Sequence, residues 1–326
     1  LPAILLGRYN GKDGGAAVPI DMVPHPGMPS SFQRVLRIEN HYINDHCIVE
    51  SGGRFHAFYI LGEVGKGCYT PGNEIVIGHS VSEDLVSWSH LSPALTVDPE
   101  RPWEAAHIFA PYVIEVSGRF YMFYSSDNVH AAQYINLAIS DDLYTWVRHT
   151  ANPVLTPPGW ALWDADMPCS CRDPHVIRRG RSGFLLYYVA DLPENPEQSC
   201  IAVARSKDLI NWENSAPVLA RRPSVLEAFV CKTESPCVIE RKGLYYLFYR
   251  HGNGTKFAVS STPLSWHGCD SYMLGPTHAS EVVRFGDEWF VTSCSRPLDD
   301  LKHEFDRTDG LSIGRLRWDY NWPRLI

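Results

Sequence analysis

Three carboxylates occupy segments that resemble one another although they lie far apart in the chain: Asp45 in INDHCIVE, Asp173 in CRDPHVIRR and Glu234 in KTESPCVIE. Each precedes an apolar strand and then a Gly-x-aromatic step. Two further segments share this make-up, HIFAPYVIE with His107 and THASEVVRF with His278 and Glu281. Carboxylates gathered on one polar cavity can cleave an acetal. One acid protonates the departing oxygen, while a second activates water or attacks the carbon. A third, ionised nearby, raises the pKa of the acid and steadies positive charge in the transition state. Any one of these acids alone reads as a strand or turn residue; their recurrence carries the argument.

What would bring them together is a repeat. One element is a glycine turn followed by an apolar strand: GRFHAFY from Gly53, GRFYMFYSS from Gly118, GFLLYY from Gly183, GLYYLFY from Gly243 and GDEWFVTS from Gly286. A second is an alternating strand closed by a tight turn and a Trp, ending at Trp88, Trp146, Trp212 and Trp266. The two alternate along the chain, and each pair supplies about four short strands, the unit of a propeller blade. Five glycine turns predict an all-β, five-bladed β-propeller in a single domain covering residues 1–326. The recurrent Trp residues are expected to pack between blades. The fifth unit lacks a clear Trp turn, so the N-terminal residues 1–40 are expected to wrap over the fold and complete that blade. The inner strand of each blade lines the axis, so polar residues opening those strands should converge there.

Composition agrees with this picture and removes other classes. Hydrophobic residues make up 44% of the 326 and aromatics 12%, with ten Trp and sixteen Tyr, which suits β structure and sugar stacking alike. The net charge of −8, with no basic block, argues against a nucleic-acid partner. No apolar run is long enough to span a membrane. Nine cysteines leave at least one outside any intrachain disulfide, and their scatter favours structural thiols. The opening LPAILLGRYNGKDGG lacks the parts of a secretion signal, and the compartment stays open.

The segments together resemble the clan of five-bladed glycosidases that contains families 43 and 32 of the glycoside hydrolases, closer overall to family 43. The resemblance rests on Asp45 opening blade 1, Phe109-Ala110-Pro111 in blade 2, Asp173-Pro174 in blade 3, Glu234-Ser235-Pro236 in blade 4 and His278 in blade 5. Arg172-Asp173-Pro174 is also similar to the family 32 motif, and Asn44-Asp45 to the start of another, with His46 where that family has proline. The resemblance implies Asp45 as general base, Glu234 as general acid and Asp173 as the residue that orients the acid and tunes its pKa, with inversion. On the family 32 pattern Asp45 is instead the nucleophile of a retaining fructosyl hydrolase or transferase. The implied partner is an oligosaccharide or polysaccharide of arabinofuranosyl, xylosyl, galactofuranosyl or fructosyl units.

Several residues are expected to bind substrate. Trp103, Trp160 and Trp163 stand outside the repeated Trp positions and suit sugar stacking. Asp166 sits in the loop before blade 3, and His107, Arg172, Arg250, Glu281 and Arg296 are polar candidates near the axis. Glu227 is the competitor to Glu234 as acid, set aside because Glu234 shares the strand register of Asp45 and Asp173. No cofactor is required for the chemistry. By resemblance His278 sits near a central divalent ion, usually calcium, although calcium prefers oxygen ligands. Two other accounts stay open: a non-catalytic glycan-binding propeller, and phosphorolysis assisted by Arg172, Arg250, His251 and Arg296.

Overall fold

The computed structural model describes residues 33–221, 233–252, 254–294 and 310–326. Short strands joined by tight turns give five antiparallel sheets. Blade 1 comprises His41–Ser51, Arg54–Glu63, Val76–Ser82 and Trp88–His90, with Leu95–Thr96 also on its third strand. Blade 2 comprises His107–Val116, Arg119–Asp127, Gln133–Ser140 and Val147–Arg148; blade 3, Cys171–Arg178, Phe184–Leu192, Asn195–Ser206 and Glu213–Ala220. Blade 4 comprises Glu234–Arg241, Leu244–Arg250, Thr255–Ser260 and Ser271–Gly275. Blade 5 is assembled from both ends of the described chain. Glu281–Phe285, Glu288–Ser293 and Leu311–Asp319 pair in order, and Gln33–Leu36 adds to Leu311–Asp319 with Gln33 opposite Ile313. Closing a ring in this way leaves only short sheet edges.

The glycine turns work because they bend the chain through positive φ. Ser117-Gly118 has φ of 55° and 77°, and Lys242-Gly243 of 51° and 75°. This two-residue turn matches the twist of antiparallel strands and fixes their register. In blade 4 the register sets Glu234 opposite Arg250.

The second repeat is a self-satisfied turn. Ser82 Oγ donates to Asp84 and accepts from the amide of Leu85, while Asp84 Oδ1 accepts from the amides of Val86 and Ser87. Ser140-Asp142 and Ser206-Asp208 repeat the arrangement. The leucine in each takes a left-handed conformation, with φ of 64°, 68° and 69° at Leu85, Leu143 and Leu209, and is buried. Blade 4 keeps the Ser and the Trp but puts Thr262 in place of Asp and Pro263 in place of Leu: Ser260 Oγ accepts from the Thr262 amide, Thr262 Oγ1 from the Leu264 amide, and Trp266 Nε1 donates to the carbonyl of Tyr245.

Each Trp then packs on the blade before its own. Trp146 meets Phe58 edge-on at 5.4 Å between ring centroids, Trp212 meets Phe123 at 5.6 Å and Trp266 meets Tyr187 at 5.9 Å. In blade 5 Trp318 meets Tyr246, and Trp88 joins the cluster of Phe285 and Phe290, so the ring of contacts closes. These aromatics join neighbouring sheets by burying large apolar area.

Candidate active site

The inner strands of blades 1 to 4 are interrupted at the same depth, and that of blade 5 begins just past it. Register shifts fall between Asn44 and His46, Phe109 and Tyr112, Arg172 and His175, and Glu234 and Cys237. Ala110, Asp173, Ser235 and Ala279 sit there with φ between 43° and 56°. In blades 2, 3 and 4 a proline follows: Pro111, Pro174 and Pro236. Proline cannot donate to the ladder and is tolerated at a bulge. Positive φ at non-glycine residues costs on the order of 1–3 kcal/mol each and is held in place by the surrounding sheets. The bulges place Asp45, Asp173 and Ser235 on one axial cavity, with Pro111 and Glu281 also in its wall.

A bulge breaks the strict alternation of strand side chains. Arg172 and Asp173, although adjacent, therefore both face the site, and Arg172 Nε lies 3.7 Å from Asp173 Oδ1. The same geometry corrects the register assigned from sequence. The residue equivalent to Asp173 is Ser235, since each takes positive φ ahead of proline; Glu234 occupies the position of Arg172.

Ser235 ties two acids together. Its Oγ donates to Asp45 Oδ1 at 3.3 Å, and its amide donates to Asp173 Oδ2 at 2.9 Å. The amide of Asp173 in turn donates to Ser125 Oγ. Glu234 is clasped by two cations from different blades: Arg250 Nη1 donates to Oε1 at 2.9 Å, and Arg172 Nη2 to Oε2 at 3.1 Å. These three charged side chains are only 12–16% exposed. His278 completes the corner, with Nε2 3.4 Å from Arg250 Nη1.

The electrostatics separate the acids. Burial, then the charges of Asp173, Glu234 and Glu74, push Asp45 well above the usual carboxylate range, against the pull of Arg172. Burial and Glu234 raise Asp173 to about 6, although Arg172 and the Ser235 amide oppose this. For Glu234 burial works in the same upward direction, but Arg250, Arg172 and His278 outweigh it and bring the group down to about 2. These surroundings keep Glu234 ionised and favour a proton on Asp45.

Other candidates fall elsewhere. His107 does not face the cavity: it is buried, with Nδ1 3.0 Å from Asp127 Oδ1, and Asp127 outweighs burial in raising its pKa. Trp160 and Trp163 pack against the core shared by blades 2 and 3, and Trp163 Nε1 donates to the carbonyl of Gln133. Trp103 joins Trp163 against Ala132, Tyr134 and Cys169. All three rings are partly buried, each packed against core residues of neighbouring blades. Asp166 is exposed, 4.0 Å from His130 Nε2. Glu281 meets His175 below the acids, and His251 is buried beside Thr233. Glu227 and Arg296 lie outside the described residues, as do the Pro-rich residues 18–30.

Calcium at His278 does not fit the surroundings. The ring nitrogen that would face the ion faces a guanidinium cation instead, and calcium is held by six to eight oxygens.

Tyr69 was missed by sequence reasoning. Its ring is 58% exposed, stands edge-on to His107 and Phe109, and is close enough to Arg172 and Glu234 to feel their charge. It sits in a connection between two strands of blade 1, where no repeat marks it. The pairing of Glu234 with Arg250 is also a product of the bulge, because symmetry about the Lys242-Gly243 turn alone would set Glu234 opposite His251.

Fold and site together define a five-bladed propeller with Asp45 and Asp173 on its axial cavity and Glu234 beside them. Residues 36–233 match the N-terminal domain of glycosyl hydrolases family 32, and the chain belongs to that family. It is 26% identical over 263 residues to an insoluble-isoenzyme β-fructofuranosidase of Arabidopsis thaliana, covering 76% of this chain and 43% of that protein. It is 27% identical over 201 residues to a sucrose:sucrose 1-fructosyltransferase of Festuca arundinacea, covering 59% and 29%. The chain thus spans less than half the length of these relatives. Among solved structures, a thermostable family-43 glycoside hydrolase superposes with a TM-score of 0.67 at 22% identity, over 87% of this chain and 93% of that one. A family 32 β-fructofuranosidase of Bombyx mori does so with 0.67 at 17%, over 93% and 66%. These likenesses show that the fold is common to both families.

Proposed function

We propose that this chain is a glycosidase that releases fructofuranosyl units with retention of configuration. Asp45 is the nucleophile, Glu234 the acid and then the base, and Asp173 the residue that positions the sugar and the Arg172 side chain. The observation that carries this reading is the bridge through Ser235, which holds Asp45 and Asp173 from two blades on one cavity, next in sequence to Glu234. Membership of family 32, and the names of the relatives, favour a fructosyl substrate and Asp45 as nucleophile.

In the first step Asp45 bonds to the anomeric carbon as the glycosidic C–O bond breaks, and the proton of Glu234 passes to the leaving oxygen. In the second, Glu234 takes a proton from water, whose oxygen displaces Asp45 from the sugar. The charges around the acids, which favour a proton on Asp45 over one on Glu234, are the reverse of what the first step needs. Sugar hydroxyls that draw hydrogen bonds from Arg172 and Arg250 remove stabilisation from the Glu234 carboxylate and raise its pKa. Desolvation by substrate acts in the same direction. Asp45 gives up its proton as Glu234 gains one, so the pair behaves as one coupled titration.

The test is hydrolysis of sucrose and short fructans, with arabinofuranosides and xylosides in parallel and the anomer of the first-formed product resolved. The reading predicts release of fructose with retained configuration, and Asp45→Asn with its activity nearly abolished. An inverted product, preferred cleavage of arabinofuranosides or xylosides, or full activity in Asp45→Asn would each overturn it. Fructosyl transfer to a second sugar in place of water would leave the roles of the acids unchanged.

A further inference from the structure

We propose that His175, Cys237 and Glu281 hold a divalent transition-metal ion of the zinc type on the propeller axis, beneath the acids. One side-chain donor atom from each, an imidazole nitrogen, a thiol sulfur and a carboxylate oxygen, lies within 4.8 Å of the other two. The three come from blades 3, 4 and 5. Each stands two residues beyond the positive-φ position of its inner strand, at Asp173, Ser235 and Ala279, so the bulges that set the acids also set a second layer below them.

The imidazole is arranged as a metal ligand would be. His175 Nε2 lies 3.1 Å from the carbonyl of Val238, which fixes the ring and leaves Nδ1 as the inward nitrogen. Nδ1 is buried and has no hydrogen-bond partner, although Glu281 Oε2 is 3.5 Å away. The His175 side chain is only 5% exposed. A ligating histidine anchored through its other nitrogen to a carbonyl is the usual outer-shell arrangement at zinc. Burial, and then Glu281, hold the Cys237 thiol protonated in the metal-free site, against a hydrogen bond from the amide of Val282 at 3.3 Å, so a cation is needed to draw out the thiolate.

Donor chemistry selects the ion. Nitrogen, sulfur and oxygen in one set suit zinc and its neighbours and do not suit calcium or magnesium. Tetrahedral zinc places its ligand atoms roughly 3.3–3.7 Å apart, so the side chains must close in by about 1 Å. Glu281 also lines the axial cavity, and water from that side supplies the fourth ligand. On binding, Cys237 gives up its proton to cavity water, a sulfur–metal bond forms, and nothing is oxidised or reduced. The ion joins three blades.

The experiment uses the full chain, stripped of metal by a chelator and dialysed, and Co2+ as the probe. One equivalent should produce a thiolate-to-cobalt charge-transfer band in the near ultraviolet, and Zn2+ should abolish the band and raise the melting temperature. Cys237→Ser should lose the band while Cys294→Ser, another buried cysteine, keeps it. Should Cys237→Ser fail to fold, Glu281→Gln, with circular dichroism unchanged from wild type, should lose the Zn2+-dependent rise in melting temperature. A folded wild-type chain with neither band nor thermal shift would overturn the proposal. So would an undiminished band in Cys237→Ser, or an undiminished shift in Glu281→Gln.

Discussion

The outer Trp turns and the inner-strand bulges are both repeated around the ring, yet one repeats its side chains and the other does not. Ser82, Ser140 and Ser206 head the same hydrogen-bonded turn, with Asp two positions on and a left-handed Leu after it. Every group the turn needs is local, and each turn has one task, to aim a Trp at the preceding blade. At the bulges the backbone recurs, but the residues are Ala110, Asp173, Ser235 and Ala279. All of these meet at one axis, where five copies of one side chain would be redundant or mutually repulsive. Repetition of residue type marks a task done separately in each blade. Repetition of backbone with varied residues marks a task divided among the blades.

The comparison can be broken from either side, and the largest effect belongs to the axis. Glu234→Gln should lower kcat about 10²–10⁴-fold, the usual range for loss of a general acid–base group, as read in steady-state kinetics. The same change leaves Arg172 and Arg250 without their counter-charge, and breaking a buried pair costs about 3–5 kcal/mol. Denaturant unfolding of the variant measures that cost. On the packing side, Trp266→Ala should destabilise by about 3–5 kcal/mol, because the side chain is fully buried against Tyr187. It should leave kcat of the folded fraction unchanged.

Smaller effects refine the picture. Glu234 is depressed to about 2 in the folded chain, against about 4.3 for an ordinary glutamate. The stability it contributes is therefore complete above the ordinary value and lost as pH falls through about 2. Wild type should lose more stability than Glu234→Gln over that interval, as followed by thermal melts at stepped pH. Smallest is Asp142→Ala. It removes acceptors for the Tyr144 and Thr145 amides at an exposed turn and should cost about 1 kcal/mol with no change in kinetics.

The contrast also explains what could be read from the sequence. Local devices leave local signatures, so the glycine turns, the Ser-x-Asp-Leu turn and its Trp spell out the five blades. The acids were legible for a related reason: Asp173-Pro174 and Ser235-Pro236 mark the bulges, and Asp45 opens the strand before the first turn. The order of charge around them was not. Alternation along a strand places Arg172 and Asp173 on opposite faces, and only the positive φ at Asp173 reverses this. The same one-residue offset puts Glu234 in the grip of Arg172. Trp160 and Trp163 lie outside the repeat, so no periodicity announces the core that they pack against. Tyr69 depends on how a connection folds back over the cavity, which no periodicity records.

The central claim is that three acids from three blades act on one bond, and a kinetic double-mutant cycle on Asp45 and Glu234 tests it most directly. Groups that serve one reaction as a unit are strongly non-additive. The account predicts that Asp45→Asn combined with Glu234→Gln is scarcely slower than the slower single variant. Losses that multiply, with both variants folded, would mean that the two carboxylates act independently, and the shared site would be contradicted.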